Sequence, residues 1–160
     1  MIDGEYNGEL SDGVREGKGI LSWSNGDMYD GQFRNGLRSG YGIFLEKSGR
    51  KYEGQWNLSL REGHDIEVWP NGDVYEGNYS QDKFNGIGEL ITQGGKYKGG
   101  FRDGYKEGLG TMMFKNGCRY EGSWKKGRFH GRGLHFWPDG RRYEVFVLKV
   151  SNTEFSHTIL

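Results

Sequence analysis

The sequence predicts an all-β chain: an extended single-layer antiparallel sheet of tandem β-hairpins, with a C-terminal capping strand. Three observations predict it. Thirty of the 160 residues are glycine, tyrosine recurs at a nearly constant interval, and each interval carries the same order of alternating run, glycine pair and turn glycine. Only 33% of the chain is hydrophobic and none of it is alanine, so the apolar stripes of a helical bundle cannot be assembled. Collagen is excluded by two prolines and no three-residue period. Disorder is opposed by five Trp, ten Tyr, nine Phe and a net charge of zero.

The tyrosines Tyr6, Tyr29, Tyr52, Tyr75, Tyr97, Tyr120 and Tyr143 lie 23, 23, 23, 22, 23 and 23 residues apart. With each tyrosine as position 1, glycine returns at positions 3, 8, 12, 14 and 21, and 27 of the 30 glycines fall in register. Positions 1 to 5 alternate, with Tyr, Gly and Leu10, Phe33, Trp56, Tyr79, Phe101 or Trp124 on one face and mostly charged or amide residues on the other. A second run starts at the glycine pair and continues through β-formers, as in Gly17-Lys-Gly-Ile-Leu-Ser-Trp23. Asn-Gly or Asp-Gly closes most units, which suits left-handed turn conformations. Each unit is thus a hairpin, and about 13 strands are expected. The glycines within strands leave recesses over which a ring from a neighbouring strand can lie.

The last run, Tyr143-Glu-Val-Phe-Val-Leu-Lys-Val150, has Val145 where glycine stood and reads as the capping strand 143–150, followed by the tail 151–160. The whole chain, 1–160, reads as one array, and its first strand, 6–10, as a bare edge.

The unit Tyr120-Glu-Gly-Ser-Trp-Lys-Lys-Gly-Arg-Phe-His-Gly-Arg-Gly-Leu, followed by Phe136-Trp-Pro-Asp-Gly140, resembles the MORN repeat (membrane occupation and recognition nexus) family. The resemblance covers residues 6 to 148. It implies an adaptor or targeting module near membranes, cytoskeleton or cilia. Departures occur at Ser59 and Asp82, in position 8, and at Asp65, in position 14, so irregular hairpin loops or altered groove contacts are expected in the third and fourth units.

No catalytic centre, metal site or cofactor is predicted. The four histidines lack zinc-site spacing, the G-x-G pairs recur in repeat register rather than as a phosphate cradle, and no nucleic-acid-binding signature is present. The initial residues lack the regions of a signal peptide and no apolar run is long enough for a span, so a cytoplasmic location, peripheral to membrane or cytoskeleton, is expected. Two surfaces are candidates for binding. The rings Tyr29, Phe33, Tyr52, Trp56, Tyr75, Tyr79, Tyr97, Phe101, Tyr120 and Trp124 should form a partly exposed trough that takes a peptide or helix of a partner protein.

Charge supplies the other. Residues 1–95 hold 9 Lys/Arg against 16 Asp/Glu, net −7, and residues 96–160 hold 13 against 6, net +7. Lys125, Lys126, Arg128, Arg132, Arg141 and Arg142 read as a basic patch for anionic lipid. The bare edge and opposed charges also suit a homodimer or head-to-tail association. The final His157-Thr-Ile-Leu160 matches a PDZ-type ligand pattern, a match common by chance.

Overall fold

The computed structural model describes residues 4–147. They form fourteen strands and no helix, so the chain is all-β. The chain gathers into two compact units that meet in sequence between Lys83 and Phe84.

The first unit is an antiparallel meander of β1 (Gly4–Ser11), β2 (Val14–Trp23), β3 (Met28–Arg34), β4 (Leu37–Leu45), β5 (Lys51–Asn57), β7 (Gly63–Val68) and β8 (Val74–Ser80). The two-residue β6 (Leu60–Arg61) pairs with the end of β5. The second unit repeats the meander through β9 (Lys83–Thr92), β10 (Gly95–Arg102), β11 (Tyr105–Phe114), β12 (Arg119–Lys125), β13 (Arg128–Phe136) and β14 (Arg142–Val147). Each unit is a single layer. The capping strand is β14, paired to β13, while residues 148–150, the tail and the PDZ-type ending lie outside the described residues.

Positions 7 and 8 make the hairpin turns, and both are left-handed: φ is 49° at Asn35 and 78° at Gly36, 49° at Lys126 and 78° at Gly127. Two consecutive left-handed residues define the turn that matches strand twist. Ser59 and Asp82 keep the same turn, at φ 67° and 66°. The irregular loops expected there are therefore absent. A side chain in that conformation costs about 1 kcal/mol, and here it gains a partner: Ser59 Oγ accepts the Arg38 backbone N–H at 3.1 Å, and Asp82 Oδ1 that of Arg61 at 2.9 Å. The irregularity falls instead on the following strand of the third repeat, which breaks at Glu62 into β6 and β7 and raises the strand count to fourteen.

Positions 3 and 14 pair across the first, second, fifth and sixth hairpins and again between hairpins within each unit. In the first unit Gly8, Gly19, Gly31, Gly42 and Gly54 thus form a row across the strands. Gly88, Gly99, Gly110, Gly122 and Gly133 form the row of the second, which ends at Val145. In the first, second, fifth and sixth hairpins the tyrosine lies over its own pair. A Cβ on Gly42 would stand 2.5 Å from the Tyr29 ring carbons. The glycine also brings the phenol to the bulge next to it, where the register slips between Gly31 and Phe33. There Tyr29 Oη donates to the Gln32 carbonyl at 3.0 Å, as Tyr97 does to Gly100 and Tyr120 to Ser123. One residue type thus covers the bare backbone and satisfies the carbonyl that the bulge frees.

The core is the ring face itself. Within the first unit Tyr6, Phe33, Tyr29, Trp56, Tyr52, Tyr79 and Tyr75 touch in that order, edge to face, with centroids 4.9 to 5.4 Å apart. In the second, Phe101, Tyr97, Trp124 and Tyr120 do the same at 5.0 to 5.5 Å. Edge-to-face contact adds about 0.5–1.5 kcal/mol per pair to the area buried. The ten rings expected to line an open trough are 0–6% exposed. The trough is therefore corrected to a packed core, because neighbouring rings and a roof of position-10 side chains cover what a second layer would cover in a sandwich.

Candidate functional site

Position 10 supplies that roof. It is Arg15, Arg38 and Arg61 in the first unit, and Phe84, Lys106 and Phe129 in the second. The Arg38 guanidinium lies 4.1 Å from the Trp56 centroid, 5.3 Å from Phe44 and 5.7 Å from Tyr29. Arg61 covers Tyr79 at 5.0 Å, and Lys106 covers Tyr97 at 4.8 Å. Such contacts are worth about 0.5–2 kcal/mol each, more as water is removed. In the first unit each arginine also reaches one repeat forward to the next hairpin turn, donating to the carbonyl of Gly36, Ser59 or Asp82. Glutamates at position 11 hold the same turns, since Glu16 accepts the Asn35 N–H, Glu62 that of Gln81 and Glu107 that of Lys126.

The third repeat interrupts the apolar core with charge. At position 16, where other repeats place Leu21, Phe44 and Met112, it has Glu67, which is 1% exposed. Arg50 reaches its carboxylate at 2.6 Å, Arg61 at 2.7 Å, and the Tyr79 hydroxyl donates to it at 2.6 Å. Arg61 also pairs with Asp82 at 3.0 Å and Arg50 with Glu46 at 3.2 Å. Burial opposes the charge on Arg61, yet Glu67 and Asp82 outweigh it, and its pKa stands above the ordinary arginine value. Breaking this buried group of charges by removing one member would leave another uncompensated.

Around the charges the ring face opens into a recess of about 230 Å³, lined by Arg38, Phe44, Glu46, Arg50, Tyr52, Trp56, Arg61, Glu67 and Asp82. The departures from the repeat therefore converge: Ser59, Asp82 and Glu67 all engage the arginines of this recess. Of the predicted ring residues, Tyr52 and Trp56 line it. The others belong to the packed core. Glu67 and the position-10 arginines were not singled out in the sequence, although a carboxylate in a column of Leu, Phe, Met and His was a visible signal for the first.

Asp65 takes the place of the recess glycine beneath Tyr52, hydrogen-bonds its hydroxyl and accepts the Gln55 N–H at 2.6 Å. Burial raises its pKa above the ordinary aspartate value, and the bonds from Tyr52 and Gln55 do not cancel that effect. A carboxyl raised in the folded state contributes most below the unfolded value and loses that contribution as pH rises through the folded one. Asp65→Asn keeps a donor toward Tyr52 and an acceptor for Gln55. It is expected to raise the unfolding free energy by about 1 kcal/mol at neutral pH. The gain should vanish below pH 3.8. Urea titrations at the two pH values measure both effects, and a pH-independent difference would refute the assignment.

The six basic residues do not form one patch. Lys125 and Arg128 pair across the turn at Lys126, so these three share a hairpin tip. Arg142 pairs with Phe136 at the other end of β13, roughly 25 Å away at strand rise. Arg141 binds Asp139 at 2.6 Å, and Arg132 is salt-bridged to Glu144. Among the described residues no group of His, Cys, Asp or Glu is placed to hold a metal ion.

The family model described as MORN repeat matches residues 6–28, 29–46, 52–74, 75–95, 97–119 and 120–141, so the matches begin at the six tyrosines that open the repeats. Among solved structures the chain is similar to the TCP domain of SAS-4 (dCPAP) of Drosophila melanogaster, in complex with a proline-rich motif of Ana2 (dSTIL). The TM-score is 0.54 at 11% identity, over 89% of this chain and 78% of that one, a likeness of fold. A streptogramin B lyase structure aligns over 91% of this chain and 46% of that one at 16% identity, but its TM-score of 0.22 carries no argument. No curated protein matches the chain in sequence.

Proposed function

Since this chain belongs to the MORN repeat family, we propose that it is a non-catalytic binding module that holds a segment of a partner protein against the ring-bearing face of its first unit, tethering that partner in the cytoplasm, at a membrane or on the cytoskeleton. The observation that carries this reading is the recess. The ring-bearing face of the first unit opens there, between aromatic walls and charged groups, as interface centres do. The SAS-4 domain, similar in fold, is in complex with a proline-rich motif, which supports a linear segment as the guest.

Anionic lipid is the weaker reading. Of the six basic residues, Lys125, Lys126 and Arg128 share a tip, and about 1 kcal/mol for each near a charged bilayer gives about 3 kcal/mol, a marginal attachment.

Linear peptides selected on the intact chain test the proposal. Trp69 lies 5.6 Å from the guanidinium of Arg50, a residue of the recess lining, whereas Ile66 points to the opposite face and is 42% exposed. Trp69→Ala is expected to weaken the selected peptides about tenfold and Ile66→Ser to leave them unchanged. Calorimetric titration measures both, and the reverse pattern would place the site on the other face.

A further inference from the structure

We propose that the recess receives one acidic side chain, Asp or Glu, of the bound segment, and that Arg38 is the residue that pairs with it. This rests on the reading of the first unit as a protein-binding module and assigns the chemistry of its guest.

The charges of the recess balance in number but not in pairing. Its lining holds three arginines and three carboxylates. All three carboxylates are engaged by two of the arginines: Glu46 by Arg50, Glu67 by Arg50 and Arg61, and Asp82 by Arg61. Arg38 makes no ion pair among the described residues. Its side chain donates one hydrogen bond, to the Ser59 carbonyl at 3.0 Å, while a guanidinium carries five N–H groups in a planar fork. Burial works against its charge and lowers its pKa from the ordinary arginine value, though an arginine stays protonated. It is thus a cation held by ring faces and one carbonyl, with most of its donors free for a planar acceptor.

Size and charge narrow the acceptor. A volume of about 230 Å³ lies below the roughly 300–1,000 Å³ of pockets that enclose whole small molecules, so it suits one side chain of a longer chain. Arg38 is the guanidinium of the recess without an ion pair among the described residues, and a carboxylate accepts such a fork in the bidentate geometry that arginine favours. A doubly charged phosphate would meet Glu46, Glu67 and Asp82 with a single free cation to offset them. Phe44 and Trp56, on which Arg38 rests, are placed to cover the methylene groups of the entering residue.

Arg15 provides an internal control. It occupies the same repeat position, lies over Tyr6 and Phe33 at 5.8 and 5.4 Å, and donates to the Gly36 carbonyl at 2.8 Å, but does not line the recess.

The experiment selects random linear peptides displayed on phage against the intact chain and measures synthetic versions by calorimetry. Selected peptides are expected to share one Asp or Glu, and changing that residue to its amide should weaken binding about thirtyfold or more. Arg38→Gln should cause a loss of the same size, and the two changes together should cost little more than either alone. Arg15→Gln should leave affinity unchanged, with circular dichroism and thermal melting of both variants establishing that they are folded. If Arg38→Gln does not fold, Arg38→Lys replaces it, expected to keep the preference for acid over amide at reduced affinity. Peptides that lack an acidic residue, or whose acid and Arg38 contribute independently, would overturn the assignment while leaving the binding function in place. Failure to enrich any peptide would count against both.

Discussion

Gly42→Ala is expected to lower the unfolding free energy by about 3 kcal/mol, whereas Gly36→Ala, six residues earlier, costs about 1 kcal/mol. The two glycines do different work. At Gly42 the backbone tolerates a side chain, but an added Cβ would stand 2.5 Å from the Tyr29 ring carbons, far inside contact distance. The ring has to lift, which strains its contacts with Phe33 and Trp56 and breaks its hydrogen bond to the Gln32 carbonyl at the bulge. Overpacking alone costs about 1–3 kcal/mol, and the unsatisfied carbonyl adds about 1. At Gly36 the nearest atom would be Val14 Cγ1 at 3.5 Å, ordinary contact, and the cost is confined to a φ of 78°. Urea unfolding of the intact chain compares them. Equal losses would mean that the row of glycines serves the backbone and not the rings.

Raising the pH above 10 is expected to unfold the protein cooperatively. Burial pushes the Tyr29 and Tyr97 phenols up to about 12 from the ordinary 10.0, and raises Tyr52, Tyr75 and Tyr79 further still. A phenol raised in the folded state contributes stability that is complete below the unfolded value of 10 and is lost as pH climbs through the folded one. Each deprotonation therefore favours the unfolded chain, and several buried phenols act together. Tyrosinate absorbance and the circular dichroism of the strands should change over one narrow interval between about pH 10 and 12. Tyrosines that ionise one by one near pH 10 while the strands persist would show the rings to be more open than the structure has them.

The hairpins were legible in the sequence because their key positions admit few alternatives. Gly42 under a ring and Tyr29 with a hydroxyl at the right reach each tolerate almost one residue type, and the left-handed turn at Gly36 favours glycine, so repetition of type betrays them. The roof was not legible, because any long cation or flat ring at position 10 covers a tyrosine, and Arg38, Lys106 and Phe129 share no chemistry that a search by residue type would align. Burial of the rings followed from that same roof. Ser59 and Asp82 were visible as exceptions but suggested altered loops, since their bonds to Arg38 and Arg61 bridge successive repeats. The basic residues were misjudged as one group because nearness in sequence is not nearness along a strand: Arg128 opens β13, whereas Arg142 opens β14 and pairs with the far end of β13.

A hairpin whose tyrosine, two glycines and bulge carbonyl complete one another carries its own folding instructions, so copying or deleting one during evolution alters the length of an array without rewriting its neighbours. The third hairpin has no such freedom. Glu67 depends on Arg50, contributed by the hairpin before, and Arg61 on Asp82 from the hairpin after. Descendants of this chain can therefore gain or shed interchangeable modules elsewhere while three consecutive ones travel as an inseparable cassette, keeping one grip at variable span.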